Sequence, residues 1–155
     1  NVPRYRTPTR VVLTEPEAAM AARLRTRAAT AQVPVVIEEA NAEALPFPDA
    51  SFDTVVSTLV LCSVAHPDRA LAEVRRVLKP GGRYLFIEHG GSDDAGLARW
   101  QRRLDPLWQR VAGGCHLSRN IVPMLAAAGF RVSGLETLEP RRTGPIKPFR
   151  MGVAA

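Results

Sequence analysis

Three groups of side chains in this sequence have the types and spacing to do chemistry. Glu88 and His89 stand side by side where the apolar run beginning at Arg83 ends. An imidazole there can take a proton from a thiol or an amine, because histidine titrates near neutral pH. A residue at a strand tip can equally do no more than brace the loop that follows. Glu15, directly before Pro16, and Asn41 are hydrogen-bonding groups at the ends of two other apolar runs. Their plain readings are a first-turn helix acid and a turn residue. Cys62 lies inside an apolar run and Cys115 in Gly113-Gly114-Cys115-His116. Two cysteines without a Cys-x-x-Cys spacing argue against a zinc site and against a disulfide framework, so no metal is expected.

Positioning these groups requires a particular order of elements. Arg10 to Thr14 reads as a short buried strand, and Pro16 suits the first turn of a helix running to about Ala31. Met20, Leu24 and Ala28 recur at helical spacing and predict its inner face. Val33 to Glu38 is a second strand, and Asn41 to Asp53 a loop with Pro46 and Pro48. Phe52 to Leu61 is nearly continuous apolar, as a strand covered on both faces would be. His66-Pro67-Asp68 opens a helix through Leu71, Val74 and Leu78, which Lys79-Pro80-Gly81-Gly82 stops. Arg83 to Glu88 is the next strand and Gly90 to Gly96 a loop. Leu97 to Val111 reads as a helix broken at Pro106. Ser118 to Ala128 is another, capped by Ser118 and closed by Gly129. Phe130 to Leu138 and Pro148 to Val153 form a final strand pair.

This alternation predicts one α/β domain over residues 1–155. Its sheet is mostly parallel, with helices on both faces and an antiparallel C-terminal strand pair. Ligands of such sheets bind beyond the carboxyl ends of the strands. That rule selects Glu15, Asn41, the stretch from Ser57 to Cys62, and Glu88 to Gly90.

Three segments carry a resemblance. Ala42-Glu43-Ala44-Leu45-Pro46-Phe47-Pro48-Asp49-Ala50-Ser51-Phe52-Asp53 looks like the signature before the fourth strand of class I S-adenosylmethionine-dependent methyltransferases. Val74-Arg75-Arg76-Val77-Leu78-Lys79-Pro80-Gly81-Gly82 is similar to the turn before their fifth strand, and Glu15 sits where they place an acid. The match is to the methyltransferase type 11 domain and covers essentially the whole chain. Ser57 to Val64, Ile87-Glu88-His89, Trp100 with Leu104 to Trp108, and Gly114 to Arg119 further resemble the methyltransferase-like 7 group, which is associated with alkyl-thiol methylation and lipid surfaces.

The resemblance implies a Rossmann-like fold, S-adenosylmethionine as cofactor, and methyl transfer to a small lipophilic acceptor, a thiol before a quinone-ring carbon or a phospholipid amine. A cofactor-binding scaffold without turnover is the reading from another class. Glu15 is then the ribose ligand, since a carboxylate can accept from both hydroxyls. Asn41 stands where relatives often have an aspartate that accepts from the adenine amino group. Pro16, Met20, Ala42 and Glu43 complete the nucleoside end, although a methionine at the helical position of Met20 is otherwise ordinary core. Thr58 and Leu59 fall beside the methionine half. His89, with Glu88, is the candidate catalytic group. Cys62, Trp100, Trp108 and His116 are candidate acceptor contacts; their structural readings are a buried small residue and two helix anchors.

The 155 residues carry a net charge of +6, a pI near 10.3 and a mean hydropathy of -0.07. The charge is almost wholly arginine, Lys79 and Lys147 being the only lysines. Groups at Arg23/Arg25/Arg27, Arg102/Arg103 and Arg141/Arg142 are dispersed and lack interleaved aromatics, so no nucleic-acid partner is expected. Weak attraction to a membrane surface is compatible with them. Sparse cysteine fits a reducing cytoplasm. The oligomeric state is not legible. The family's first strand and Gly-x-Gly-x-Gly turn have no counterpart, and Asn1-Val2-Pro3-Arg4-Tyr5 resembles the segment that follows them, so truncation is expected. Without that strand, Arg10–Thr14 and Phe52–Leu61 would each keep an unpaired edge.

Overall fold

The computed structural model describes residues 10–139 and 144–155. Asn1 to Tyr5, and Arg141 with Arg142, lie outside the described residues. The chain divides into two compact units, one ending at Pro46 and the other beginning at Phe47.

In the first unit, β1 (Val11–Thr14) pairs in parallel with β2 (Val35–Glu38), and α1 (Ala18–Ala28) is the crossover helix between them. Valine-rich runs favour extended backbone because a branched Cβ packs well on a pleated surface. Ala21 is fully buried, with Leu24 and Ala28 half-buried. Met20 is 50% exposed, which removes the ordinary-core reading of it. The inner stripe therefore starts one residue later than the i, i+4 pattern indicated, at Ala21. Arg25 and Arg27 fall in the last turn, where the helix dipole favours cations.

In the second unit, four strands lie in the order β3-β4-β6-β5. β3 (Phe52–Thr58) runs parallel to β4 (Leu78–His89), and β4 is antiparallel to β6 (Phe149–Ala154), which is antiparallel to β5 (Val132–Leu138). The expected C-terminal antiparallel pair is therefore present. α2 (Pro67–Val77) precedes β4, while α3 (Ala95–Val111) and α4 (Ile121–Ala127) follow it. Tyr84, Phe86 and Glu88 alternate onto one face of β4 and are buried. Leu71, Val74 and Val77 of α2 and Ile121 and Leu125 of α4 are buried with them. The Tyr84 ring lies 5.6 Å from that of Phe130, centroid to centroid. Each large apolar side chain so buried contributes roughly 1.5–3 kcal/mol.

Four local readings need correction. Lys79-Pro80-Gly81-Gly82 is not a turn between helix and strand. It belongs to β4, whose register jumps from Phe52↔Leu78 to Thr54↔Arg83. The extra residues bulge, and Gly81 supplies the φ of +76° there that a side chain would resist. β3 stops at Thr58, short of Leu61, and Val56 is 43% exposed, so the strand is not covered on both faces. α3 continues through Pro106. Pro106 and Arg102 are both exposed, and the carbonyl released by the missing amide can be hydrated. Finally, α4 begins at Ile121 with Asn120 before it, and Ser118 instead donates to Asp105. Gly129 does close that helix, with φ +82°. Among the described residues no helix is long and apolar enough to cross a membrane.

Candidate active site

The end of β3 is held by an acid from its neighbour. After Thr58 the chain turns at Leu59, which takes φ +58°, a left-handed conformation that a non-glycine residue adopts only at a cost of about 1–3 kcal/mol. Leu59 N–H still reaches the Ile87 carbonyl at 2.8 Å. Glu88, fully buried, then accepts from Ser57 Oγ at 2.9 Å, Val60 N–H at 3.0 Å and Cys62 N–H at 3.3 Å. Ser57 Oγ also lies 2.7 Å from the Tyr84 hydroxyl. Burial raises the Glu88 carboxyl above its ordinary range, and these amides and the hydroxyl pull the other way. On the carbonyl side of the same loop, Arg119 Nη1 donates to Leu61 O at 2.6 Å and Val64 O at 2.7 Å. One acid and one arginine thus satisfy both faces of the loop's backbone.

Beyond β4, Gly90 and Gly91 run against the backbone of Ser118 and Arg119, with Gly91 N–H 2.8 Å from the Arg119 carbonyl. A Cβ on Gly90 would meet that carbonyl oxygen at 2.6 Å, so no other residue fits without movement. Gln101 of α3 is fully buried, accepting from Ser92 N–H at 2.8 Å and donating to Lys147 O at 2.9 Å. Asp105, one turn on, accepts from Leu117 N–H at 2.6 Å and from the Ser118 hydroxyl. These brackets bring Cys115 to His89, whose Nε2 lies 2.7 Å from Cys115 Sγ. His116 N–H donates to Cys62 O at 2.7 Å. Cys62, His89 and Cys115 therefore form one cluster, with a ligand atom from each lying within 4.8 Å of the others. Burial pushes the Cys62 thiol up to about 12, and burial lowers His89 against the opposing charge of Asp105.

In the first unit, Glu15 is half-buried just past β1, and its Oε1 accepts from Glu17 N–H at 3.1 Å. Asn41 is exposed past β2, and its Oδ1 accepts from Glu43 N–H at 2.9 Å. Each forms a local turn, and a carboxylate or amide oxygen can accept more than one such bond. Pro16 is exposed beside Glu15, and Ala42 and Glu43 are half-buried.

The family model described as a methyltransferase domain matches residues 2–86. The chain belongs to that family. Thiol S-methyltransferase TMT1B of Rattus norvegicus is 44% identical over 108 residues, which is 68% of this chain and 44% of that protein. Ubiquinone/menaquinone biosynthesis C-methyltransferase UbiE of Hahella chejuensis is 58% identical over 50 residues, 32% of this chain and 20% of that protein. The chain thus spans less than half the length of either. A SAM-dependent methyltransferase from Methanosarcina mazei superposes with a TM-score of 0.70 at 23% identity, covering 94% of this chain and 81% of that one. At that identity the likeness establishes the fold, the Rossmann-like α/β class expected from the sequence.

Within the second unit of this methyltransferase domain, the structure gathers Cys62, Glu88, His89 and His116, with Leu59 joined to the neighbouring strand. Glu88, expected at a tip facing an acceptor, is instead turned inward and occupied by the loop it holds. Trp100 is 47% exposed on α3. Trp108 is half-buried with its Nε1 closed off and without a partner among the described residues. His116 Nδ1 lies 3.7 Å from Asp105 Oδ2. A groove of about 770 Å³ lined by residues such as Leu71, Arg75 and Met124 includes none of the expected site residues. Sequence reading gave no role to Gln101, Asp105 and Arg119, whereas Ser57 stood at the start of the stretch that the strand-end rule selected. Only Asp105 and Gln101 gave a signal: polar residues four apart on one face of an otherwise amphipathic helix. Cysteine spacing carried no sign that strand β4 brings His89 close to both cysteines.

Proposed function

We propose that this methyltransferase domain transfers a methyl group from S-adenosylmethionine to a small lipophilic thiol. The observation that carries the reading is the 44% identity to TMT1B over 108 residues. The donor set fits the cofactor. In the first unit Glu15 retains acceptor capacity for a diol, Asn41 an amide oxygen for an amino group, and Met20 exposed apolar surface; in the second unit, taken by itself, Leu59 is exposed. Pro16, Ala42, Glu43 and Thr58 adjoin these groups in sequence. When bound, the cofactor supplies a methyl group on a sulfonium that leaves readily, so the protein's task is alignment and removal of the acceptor's proton. Glu88 and Arg119 fix the loop after β3. Burial lowers the His89 imidazole against the opposing charge of Asp105, which favours the neutral form that can accept that proton. Cys62, Trp100, Trp108 and His116 are the acceptor-side contacts in this reading.

The reading extends to a cytoplasmic setting, supported by two free thiols. Loose association with anionic lipid headgroups is supported by the net charge of +6. Quinone-ring methylation is the second reading, supported by the 58% identity to UbiE. The test is a calorimetric titration of S-adenosylhomocysteine into the full protein, followed by turnover with an alkyl thiol and with a demethylated quinone. Saturable one-to-one binding and S-methylated product are expected. A quinone product alone selects the second reading, and a folded protein that binds no cofactor overturns both.

A further inference from the structure

We infer that Cys62, His89 and Cys115 form a binding site for a soft divalent cation, zinc being the natural occupant. Two sulfurs and one imidazole nitrogen are the donor set that selects zinc over hard cations such as magnesium or calcium. Their ligand atoms already lie within 4.8 Å of one another. Tetrahedral zinc, with Zn–S near 2.3 Å and Zn–N near 2.0–2.1 Å, needs such atoms roughly 3.5–3.8 Å apart. Reaching that spacing asks His89 Nε2 and Cys115 Sγ to separate by less than about an ångström from 2.7 Å. The sulfur of Cys62 has to close in by a similar amount at most.

The cluster is shielded from water: His89 is 4% exposed and Cys62 1%. A metal on Nε2 would place the ring proton on Nδ1, which has no hydrogen-bond partner among the described residues. The surroundings also hold the cluster in place. His116 N–H ties the Cys115 segment to the Cys62 carbonyl, and Glu88 holds Cys62 N–H. Glu88 is already committed to the loop, which leaves three protein donors among the described residues and one open position. Three donors with an opening describe a reactive zinc site, not a closed structural one. Cys115 is only half-buried and gives the side from which an ion can enter.

With Nε2 on a metal, His89 is a ligand and no longer a proton acceptor, so its two roles are alternatives. The site's existence does not depend on the methyl-transfer reading, and its test needs no turnover. Cobalt(II) is titrated into the reduced, metal-free full protein and followed by absorption. The expected result is one equivalent bound, with visible bands of tetrahedral intensity and a near-ultraviolet thiolate-to-cobalt band, all bleached by one equivalent of zinc. Cys115→Ser, at a half-buried position that the fold tolerates more readily than the core, should lose the thiolate intensity in part and bind at least about a hundredfold more weakly. Cys62→Ser and His89→Gln should do likewise where circular dichroism shows them folded. Absence of a thiolate band in the folded wild type, or a Cys115→Ser protein that binds unchanged, overturns the site. So does a Cys62–Cys115 disulfide that forms under mild oxidation at the same rate with and without zinc.

Discussion

Glu15 and Glu88 are both acids at the carboxyl end of a parallel strand, and they do opposite work. Glu88 is fully buried and spends its oxygens on Ser57, Val60 and Cys62. Glu15 is half-buried, and among the described residues its side chain accepts from Glu17 N–H two residues away. The difference follows from what surrounds each acid. β4 has a neighbour on both sides, so its end is enclosed by the loops of the second unit, whereas β1 is paired to β2 alone among the described residues. A carboxylate enclosed with backbone amides becomes part of the fold, and one left with spare acceptor capacity is available to a ligand. The position of an acid at a strand end therefore does not fix its role; its hydrogen-bond account does.

The hardest test of that contrast is Glu88→Ala. It strands a hydroxyl and at least two amides in a closed site and leaves the left-handed turn at Leu59 unsupported. Urea unfolding should show a loss of about 3–5 kcal/mol. Glu88→Gln keeps one good acceptor and should lose about half as much. A loss under about 1 kcal/mol for Glu88→Ala would mean that the loop does not depend on this acid.

Gly90→Ala examines the same enclosure from its backbone side. The added methyl meets the Arg119 carbonyl oxygen at 2.6 Å, and that carbonyl already accepts from Gly91 N–H. A loss of about 1–3 kcal/mol in the unfolding free energy is expected. An unchanged midpoint would show that the β4 end gives way easily and is less closed than its burial indicates.

The sequence made some of this contrast legible and hid the rest for a physical reason. Glu15 and Asn41 act over two residues, so their placement follows from where apolar runs stop. The order of strands and helices was likewise readable from periodicity. Glu88's partners lie 26 to 31 residues away in the chain, and nothing in the local pattern separates a buried acid from an exposed one at a strand tip. Cys62, His89 and Cys115 are far apart in sequence and meet only because β3, β4 and the α3–α4 connection end at one place. Ser118 was misread because a serine ahead of an apolar run has the form of a cap, while Asp105, from a different helix, takes its hydroxyl. Lys79-Pro80-Gly81-Gly82 has a composition that serves a turn and a bulge alike.

Glu15→Gln should separate the two acids by readout. The amide still accepts from Glu17 N–H, so stability should stay within about 0.5 kcal/mol of the wild type. Affinity for S-adenosylhomocysteine should fall about tenfold, because one charge-assisted acceptor is replaced by a donor. A stability loss with unchanged affinity would make Glu15 a structural acid like Glu88 and erase the comparison.

Asn41→Asp carries the smallest effect and sharpens the ligand-facing side. Asn41 is exposed, and its Oδ1 already serves Glu43 N–H, which a carboxylate would serve equally. A carboxylate would then offer a charged acceptor to an amino group, worth about 0.5–1 kcal/mol more than the amide in a solvated position. The expected outcome is S-adenosylhomocysteine binding tighter by about two- to fivefold, with the unfolding midpoint unchanged. The gain should shrink as salt is added, since an exposed charge is screened. Affinity that is unchanged or weaker at every salt concentration would mean that no donor approaches Asn41, and would leave Glu15 as the only strand-end group of the first unit with a claim on the cofactor.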